Sequence, residues 1–297
     1  MVKFLLLVAA YCAAAVQMSS AFAQNADESR TFLESGQQAL NKRDYVNAEN
    51  LFRQLLTIQE KGLGAEHPDT LQTYLLLGSA VRSQGKHTDA NALFAKAESV
   101  GMRLLETQEK TLGPEHPETV RTYWLLAGVL QFQGRESDAN ALTQRSSSIQ
   151  LLRSLSSGDT ARAIALVEKG VNPNARDVRG WTALMYAGMS GQTRVMKMLV
   201  ERGADVNTIC PLDGTTALQN AVVFGDPEAV RLLLSRGADV TAQNKKGETA
   251  LVIAMKRSSE SLPGRGKFRT AFGDLGGAMK DDYIQVVELL KDAGANK

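Results

Sequence analysis

Few residues in this chain have types and spacings that could support chemistry. Gly264-Arg265-Gly266-Lys267-Phe268 combines glycines with cations, as a phosphate-cradling loop does. That chemistry needs a Ser or Thr hydroxyl for magnesium after the lysine and a glycine further upstream. Phe268 and Ser261 occupy those places, so the segment reads as a flexible basic loop. The histidines are His67, His87 and His116, and none stands near a Cys or a second His in metal-ligand spacing. Gly188-Met189-Ser190-Gly191 has the wrong spacing for a nucleophile elbow, and no histidine follows His116 to complete a Ser–His–Asp set. The sequence therefore predicts no catalytic residues, no metal site and no cofactor site.

Composition narrows the field further. A chain of 297 residues is long enough for about two domains, and 43% hydrophobic with 22% charged residues suits an ordinary globular protein. A net charge of +2 calls for neither nucleic acid nor an anionic membrane. Lys3, the apolar run Phe4–Val16 and the small-residue stretch ending Ala21-Phe22-Ala23 read as a secretory signal over residues 1–23, cleaved after Ala23. The run is too short to span a membrane, so no membrane insertion is expected after cleavage. Cleavage leaves Cys210 as the single cysteine, which excludes an internal disulfide. An exported protein held by packing alone suits a bacterial periplasm or full secretion.

The elements emerge from internal repetition. GAEHPDTLQTYLLLGSAVRSQGKHTDANAL (64–93) and GPEHPETVRTYWLLAGVLQFQGRESDANAL (113–142) are identical at 16 of 30 positions. His67-Pro68-Asp69-Thr70 and His116-Pro117-Glu118-Thr119 predict helix starts, with proline in the first turn and an acid at the positive helix end. Gly85 and Gly134 predict the turn to a second helix. A weaker copy over 29–63 places Gly36, Asp44-Tyr45, Ala48 and Phe52 at matching positions. Ala48, Ala90 and Ala139 are spaced 42 and then 49 residues apart, so seven extra residues should lengthen the second helix of the middle unit. This pattern resembles tetratricopeptide repeats, and more narrowly those of kinesin light chains, over about 29–148 in three units.

The last half repeats differently. GWTALMYAGMSG (180–191), GTTALQNAVVFG (214–225) and GETALVIAMKRS (247–258) place Thr-Ala-Leu at a period of 34 and then 33 residues. With a diverged copy beginning near Ile149, the segment 149–297 resembles four ankyrin repeats. Gly170, Gly203, Gly237 and Gly294 are expected at left-handed helix C-caps. Met185, Gln219 and Val252 stand where the family usually places His, so its hydrogen bonds are expected to be missing and stability to fall below that of a consensus array. An insertion at 258–281 separates the helices of the last unit. The expected fold is all-α: an α-solenoid of tetratricopeptide helix pairs followed by an ankyrin array.

Stacked repeats make long surfaces rather than closed pockets. The tetratricopeptide resemblance places Leu33, Gln37, Asn41, Leu75, Ser79, Arg82, Trp124, Gln131 and Phe132 along a concave groove. The ankyrin resemblance places Arg176, Arg179, Trp181, Lys245 and Lys246 on finger-like turns, an aromatic–basic mixture suited to an acidic partner. The expected function is a non-catalytic adaptor or scaffold in the bacterial periplasm that binds a peptide or protein. A modulator or inhibitor of a partner enzyme and a secreted, host-directed effector are the alternatives.

Overall fold

The computed structural model describes residues 26–260, 267–270, 273–276 and 280–295. The proposed signal sequence lies outside the described residues, as does most of the Gly/Arg/Lys-rich segment. The chain divides into two compact units after Ser146.

The first unit is built of antiparallel helix pairs: α1 (26–41) with α2 (Tyr45–Gly62), α3 (Pro68–Ser83) with α4 (His87–Thr111), and α5 (Pro117–Phe132) with α6 (Glu136–Ser156). The proline starts form as expected. Pro68 and Pro117 sit in the first turn, and the N-cap imidazoles of His67 and His116 accept the backbone N–H groups of Asp69 and Glu118. These two histidines are helix caps. α4 has 25 residues against 18 in α2, so the seven-residue excess does lengthen this helix.

The first two pairs close through one repeated device. A Cβ placed on Gly36 would lie 2.5 Å from the Phe52 ring, and one on Gly78 would lie 2.5 Å from the Phe94 ring. Glycine at these points lets a phenyl ring lie directly on the neighbouring backbone, and both rings are fully buried.

Successive pairs are joined by a polar ladder. Thr73 Oγ1 donates to Gln59 Oε1 at 2.7 Å, and the Tyr74 hydroxyl donates to Glu60. Thr122 and Tyr123 repeat this with Gln108 and Glu109. Lys96 covers the Tyr74 ring at 4.8 Å and Arg145 covers that of Tyr123 at 5.0 Å. Burial, with the Glu carboxylates next, pushes both phenols up from the usual tyrosine range.

A second ladder centres on Glu49, which is 8% exposed. Its carboxylate accepts from Arg53 at 2.7 Å, Gln84 at 2.7 Å and Lys86 at 2.9 Å. Glu98, Gln133 and Arg135 repeat the arrangement one pair later. Burial alone would raise the Glu49 carboxyl, but the hydrogen bonds from Lys86, Arg53 and Gln84 outweigh it and hold the group at about 2 instead of 4.5. The folded form thus binds its proton more weakly than the unfolded chain. This stabilisation is complete above pH 4.5 and is lost as pH falls toward about 2. Urea midpoints measured down that window should fall less steeply for Glu49→Gln than for the natural chain. Parallel profiles would remove Glu49 from the acid response.

In the second unit the end of α6 and α7 (Thr160–Glu168) form the first helix pair. α8 (Ala183–Met189) with α9 (Thr193–Glu201), α10 (Ala217–Phe224) with α11 (Pro227–Ser235), and α12 (Ala250–Glu260) with α13 (Lys280–Asp292) follow. The core runs from Leu151 to Ala295 as one cluster. Gly170, Gly203, Gly237 and Gly294 all have positive φ after a helix, as expected. α12 continues to Glu260 and α13 starts at Lys280, so the insertion between them is shorter than the sequence suggested. Within it β1 (Lys267–Thr270) and β2 (Gly273–Gly276) pair antiparallel, Lys267 opposite Gly276, a local ribbon in an otherwise all-helical architecture.

One expectation needs correcting. Gln219 does make hydrogen bonds of the kind expected to be missing. Its Nε2 donates to the Ala242 and Glu248 carbonyls at 2.9 and 3.0 Å, and its Oε1 accepts the Thr216 N–H at 3.3 Å. Met185 presents only a sulfur to the Thr182 N–H, at 3.4 Å. A carboxamide has the donor and acceptor that an imidazole would have supplied, whereas a thioether is a weak acceptor.

Candidate interaction surfaces

The groove residues of the first unit fall into three settings. On α1, Leu33 is half-buried, while Gln37 and Asn41 are exposed. Leu33 lines a hollow of about 370 Å³ with Arg30, Ile58, Leu63 and Arg121. Arg121 donates to Asp69 at 2.5 Å and to Gln72 at 2.7 Å, which fixes one wall.

The residues of the middle setting are engaged by contacts within the fold. Leu75 and Ser79 are half-buried, and a Cβ on Gly128 would lie 3.1 Å from Leu75, so the next helix packs over this position. The Phe132 ring stacks on Phe94 with centroids 5.0 Å apart. Arg82 lies over the Phe132 ring at 5.9 Å and donates to its carbonyl. Phe132 and Arg82 thus close the joint between helix pairs, leaving Phe132 37% exposed.

Trp124 behaves differently. Its side chain is 60% exposed and borders an open hollow of about 500 Å³ lined also by Ala127, Gly128, Gln131, Glu136, Ala139, Asn140 and Thr143. The repeat explains this hollow. In register with the preceding pair, Trp124 stands where Leu75 stands, Ala127 replaces Gly78 and Thr143 replaces Phe94. The ring that fills the earlier pairs is absent from the third. The exchanges Gly to Ala and Phe to Thr were legible in the sequence, but their joint effect was not.

The finger residues of the second unit are likewise unequal. Arg176 is exposed, with Thr208 Oγ1 at 3.4 Å. Arg179 is engaged within its own turn: its Nε lies 3.0 Å from Asp177 and its Nη2 donates to the Tyr186 hydroxyl at 2.6 Å. That hydroxyl donates in turn to Asp177 at 2.9 Å. Burial, and then the Asp177 carboxylate, push the Tyr186 phenol up to about 12. Trp181 is half-buried against the core and tilts against Tyr186 at 5.2 Å. Lys245 and Lys246 are exposed, and the Lys245 N–H is held by the Asp213 carbonyl at 2.8 Å.

Beside these turns lies a second hollow, of about 520 Å³, lined by Trp181, Asn220, Val223, Lys246, Glu248 and Ile253 among others. Asn220 was not foreseen as a site residue. It is 1% exposed, and its Nδ2 has no hydrogen-bond partner. No group of three or more His, Cys, Asp and Glu capable of holding a metal occurs among the described residues, and no helix among them is long and apolar enough to cross a membrane.

Comparison with known proteins finds both repeat classes. The family model for a tetratricopeptide repeat matches residues 27–100. The model for ankyrin repeats (3 copies) matches 125–210 and 152–244. An ankyrin repeat-containing protein of Schizosaccharomyces pombe is 38% identical over 52 residues, 18% of this chain and 25% of that protein. The chain thus spans about a quarter of the length of this curated relative. Both repeat classes are generally protein–protein interaction modules, and they imply protein partners. The chain therefore carries tetratricopeptide repeats followed by ankyrin repeats in one predominantly helical chain.

Proposed function

We propose that this protein is a non-catalytic adaptor, exported to the bacterial periplasm, that holds a peptide or protein partner on its repeat surfaces. The observation that carries the reading is Trp124, an indole 60% exposed beside a hollow of about 500 Å³. Large aromatic side chains bordering a concave site are the residues that most often supply binding energy. The hollow lacks the phenyl ring found in the earlier pairs, and Gln131, Glu136, Asn140 and Thr143 line it beside Trp124, so a partner side chain that is apolar along its stem and polar at its tip fits its chemistry. The signal-like residues 1–23 support export.

The test places a photo-crosslinking residue at Gln131, beside Trp124, in cells that export the protein. Discrete adducts with a protein are expected, weakened about tenfold to a hundredfold by Trp124→Ala. Adducts that do not depend on Trp124 would remove this surface from the function. Sequencing of the mature N-terminus should begin at Gln24, and an intact Met1 would refute processing.

A further inference from the structure

Among the described residues that line the hollow beside Trp124, Glu136 carries the one formal charge. The Gln131 and Asn140 amides stand with it, and Ala127, Gly128 and Ala139 give it a small-residue floor. Glu136, Gln131 and Asn140 are exposed, so all three are open to a partner. None of these three side chains makes a hydrogen bond or ion pair among the described residues. The Thr143 hydroxyl is taken by the Ala139 carbonyl at 2.9 Å. Nearby cations are committed elsewhere. Arg135, next to Glu136 in the chain, reaches Asp138 at 2.6 Å and also donates to Glu98. Arg145 lies 3.0 Å from Glu109, and Arg82 donates to the Phe132 carbonyl. The hollow thus offers an uncompensated carboxylate beside an open indole.

The same unit shows twice what such a pair takes. Lys96 lies 4.8 Å from the centre of the Tyr74 ring and 3.2 Å from the Glu60 carboxylate. Arg145 lies 5.0 Å from the centre of the Tyr123 ring and meets Glu109. Each time one cation covers an aromatic ring and pairs with a carboxylate. At Trp124 the ring and the carboxylate line one hollow, and no cation lines it among the described residues. An indole face attracts a cation more strongly than a phenol ring does. A partner carboxylate would meet Glu136 without a compensating cation. A purely apolar side chain would desolvate Glu136 and the two amides without giving them partners. A guanidinium is flat, stacks on aromatic faces and presents a fork of N–H donors to carboxylate and amide oxygens. Its aliphatic stem suits the floor of Ala127, Gly128 and Ala139, where the earlier pairs carry a phenyl ring.

We propose that the hollow beside Trp124 takes an arginine side chain of the protein partner, its guanidinium stacked on Trp124 and paired with Glu136. This rests on the reading of that hollow as a partner-binding surface, and it assigns the partner's chemistry there.

The test uses the full mature chain labelled with nitrogen-15 and a capped tripeptide, acetyl-Ala-Arg-Ala-amide. The Trp124 indole N–H signal is identified by its loss in Trp124→Phe. A saturable shift of that signal at millimolar peptide is expected. Citrulline in place of arginine keeps the shape and removes the charge, and should weaken binding about fivefold to tenfold. Glu136→Gln should weaken the arginine peptide by about the same factor and leave the citrulline peptide unchanged, a coupling that a merely disturbed fold would not produce. No saturable shift, equal binding of the citrulline peptide, or an unchanged arginine response in Glu136→Gln would each overturn the proposal. A lysine peptide that binds as tightly as the arginine peptide would also overturn it, because a point charge would then suffice. Trp124-dependent crosslinking from Gln131 would survive any of these results, so the adaptor reading outlives a failure of the arginine assignment. Crosslinking that does not depend on Trp124 would remove both.

Discussion

Replacing Phe94 by alanine in the full chain is expected to destabilise the first unit by about 3–5 kcal/mol. The ring is fully buried and fills the space over Gly78, where even a Cβ would approach it to 2.5 Å. It also stacks on Phe132 at 5.0 Å. Truncation removes the transfer energy of a large apolar side chain and leaves a void bounded by helices α3, α4 and α5. Helix backbones close such a gap poorly because their spacing is set by the other layers of each pair. The chain has two tryptophans, Trp124 in the first unit and Trp181 in the second. Urea unfolding in a Trp181→Phe background, followed by Trp124 fluorescence, therefore reports on the first unit. A loss below about 1 kcal/mol would mean that the pair can collapse around the void, contrary to this packing argument.

The second large effect is expected at Gly214. Gly214→Ala should cost the second unit about 2–4 kcal/mol, from left-handed strain together with a clash that side chains cannot relieve. Its φ is +76°, and an added Cβ would lie 2.9 Å from the Lys245 nitrogen and 3.2 Å from Asn244 backbone atoms. Those atoms belong to the turn of the next repeat. That turn is anchored to Asp213 by the Lys245 N–H and shaped by the Asn244 side chain, which accepts from Lys246 and Glu248. The obstacle is thus backbone rather than the end of a flexible side chain. Gly237 supplies the control: its φ is +78°, but nothing lies within 4 Å of an added Cβ. Gly237→Ala should cost only about 1 kcal/mol, the conformational strain alone. Trp181 fluorescence in a Trp124→Phe background measures both. Equal losses at the two positions would show that the approach of successive turns adds nothing.

Much of this molecule was written locally. His67-Pro68 and His116-Pro117 specify helix starts because a cap needs only residues within one turn of it. The step from 42 to 49 residues between Ala48, Ala90 and Ala139 specifies a longer α4, because inserted helical residues add in line. The two Gln-Glu-Lys triplets at 59–61 and 108–110, spaced 49 apart like the loops that follow them, could have disclosed the ladder to Thr73-Tyr74 and Thr122-Tyr123. The candidate surfaces were less legible. Trp124 and Phe132 both looked like aromatic groove residues, yet Trp124 is exposed while Phe132 stacks on a ring 38 positions earlier in the chain. Arg179 looked available to a partner and instead joins Asp177 and Tyr186.

By itself the sequence determined the two repeat classes, the helix starts at Pro68 and Pro117 and the glycine C-caps, all properties that depend on short-range periodicity and on residues one turn apart. The tertiary structure decided which side chains find partners: Gln219 bonds across to the next repeat, while Asn220 beside it finds none. Burial and hydrogen-bond satisfaction depend on what stacking brings together from positions some thirty to fifty residues apart, and no single repeat contains that information.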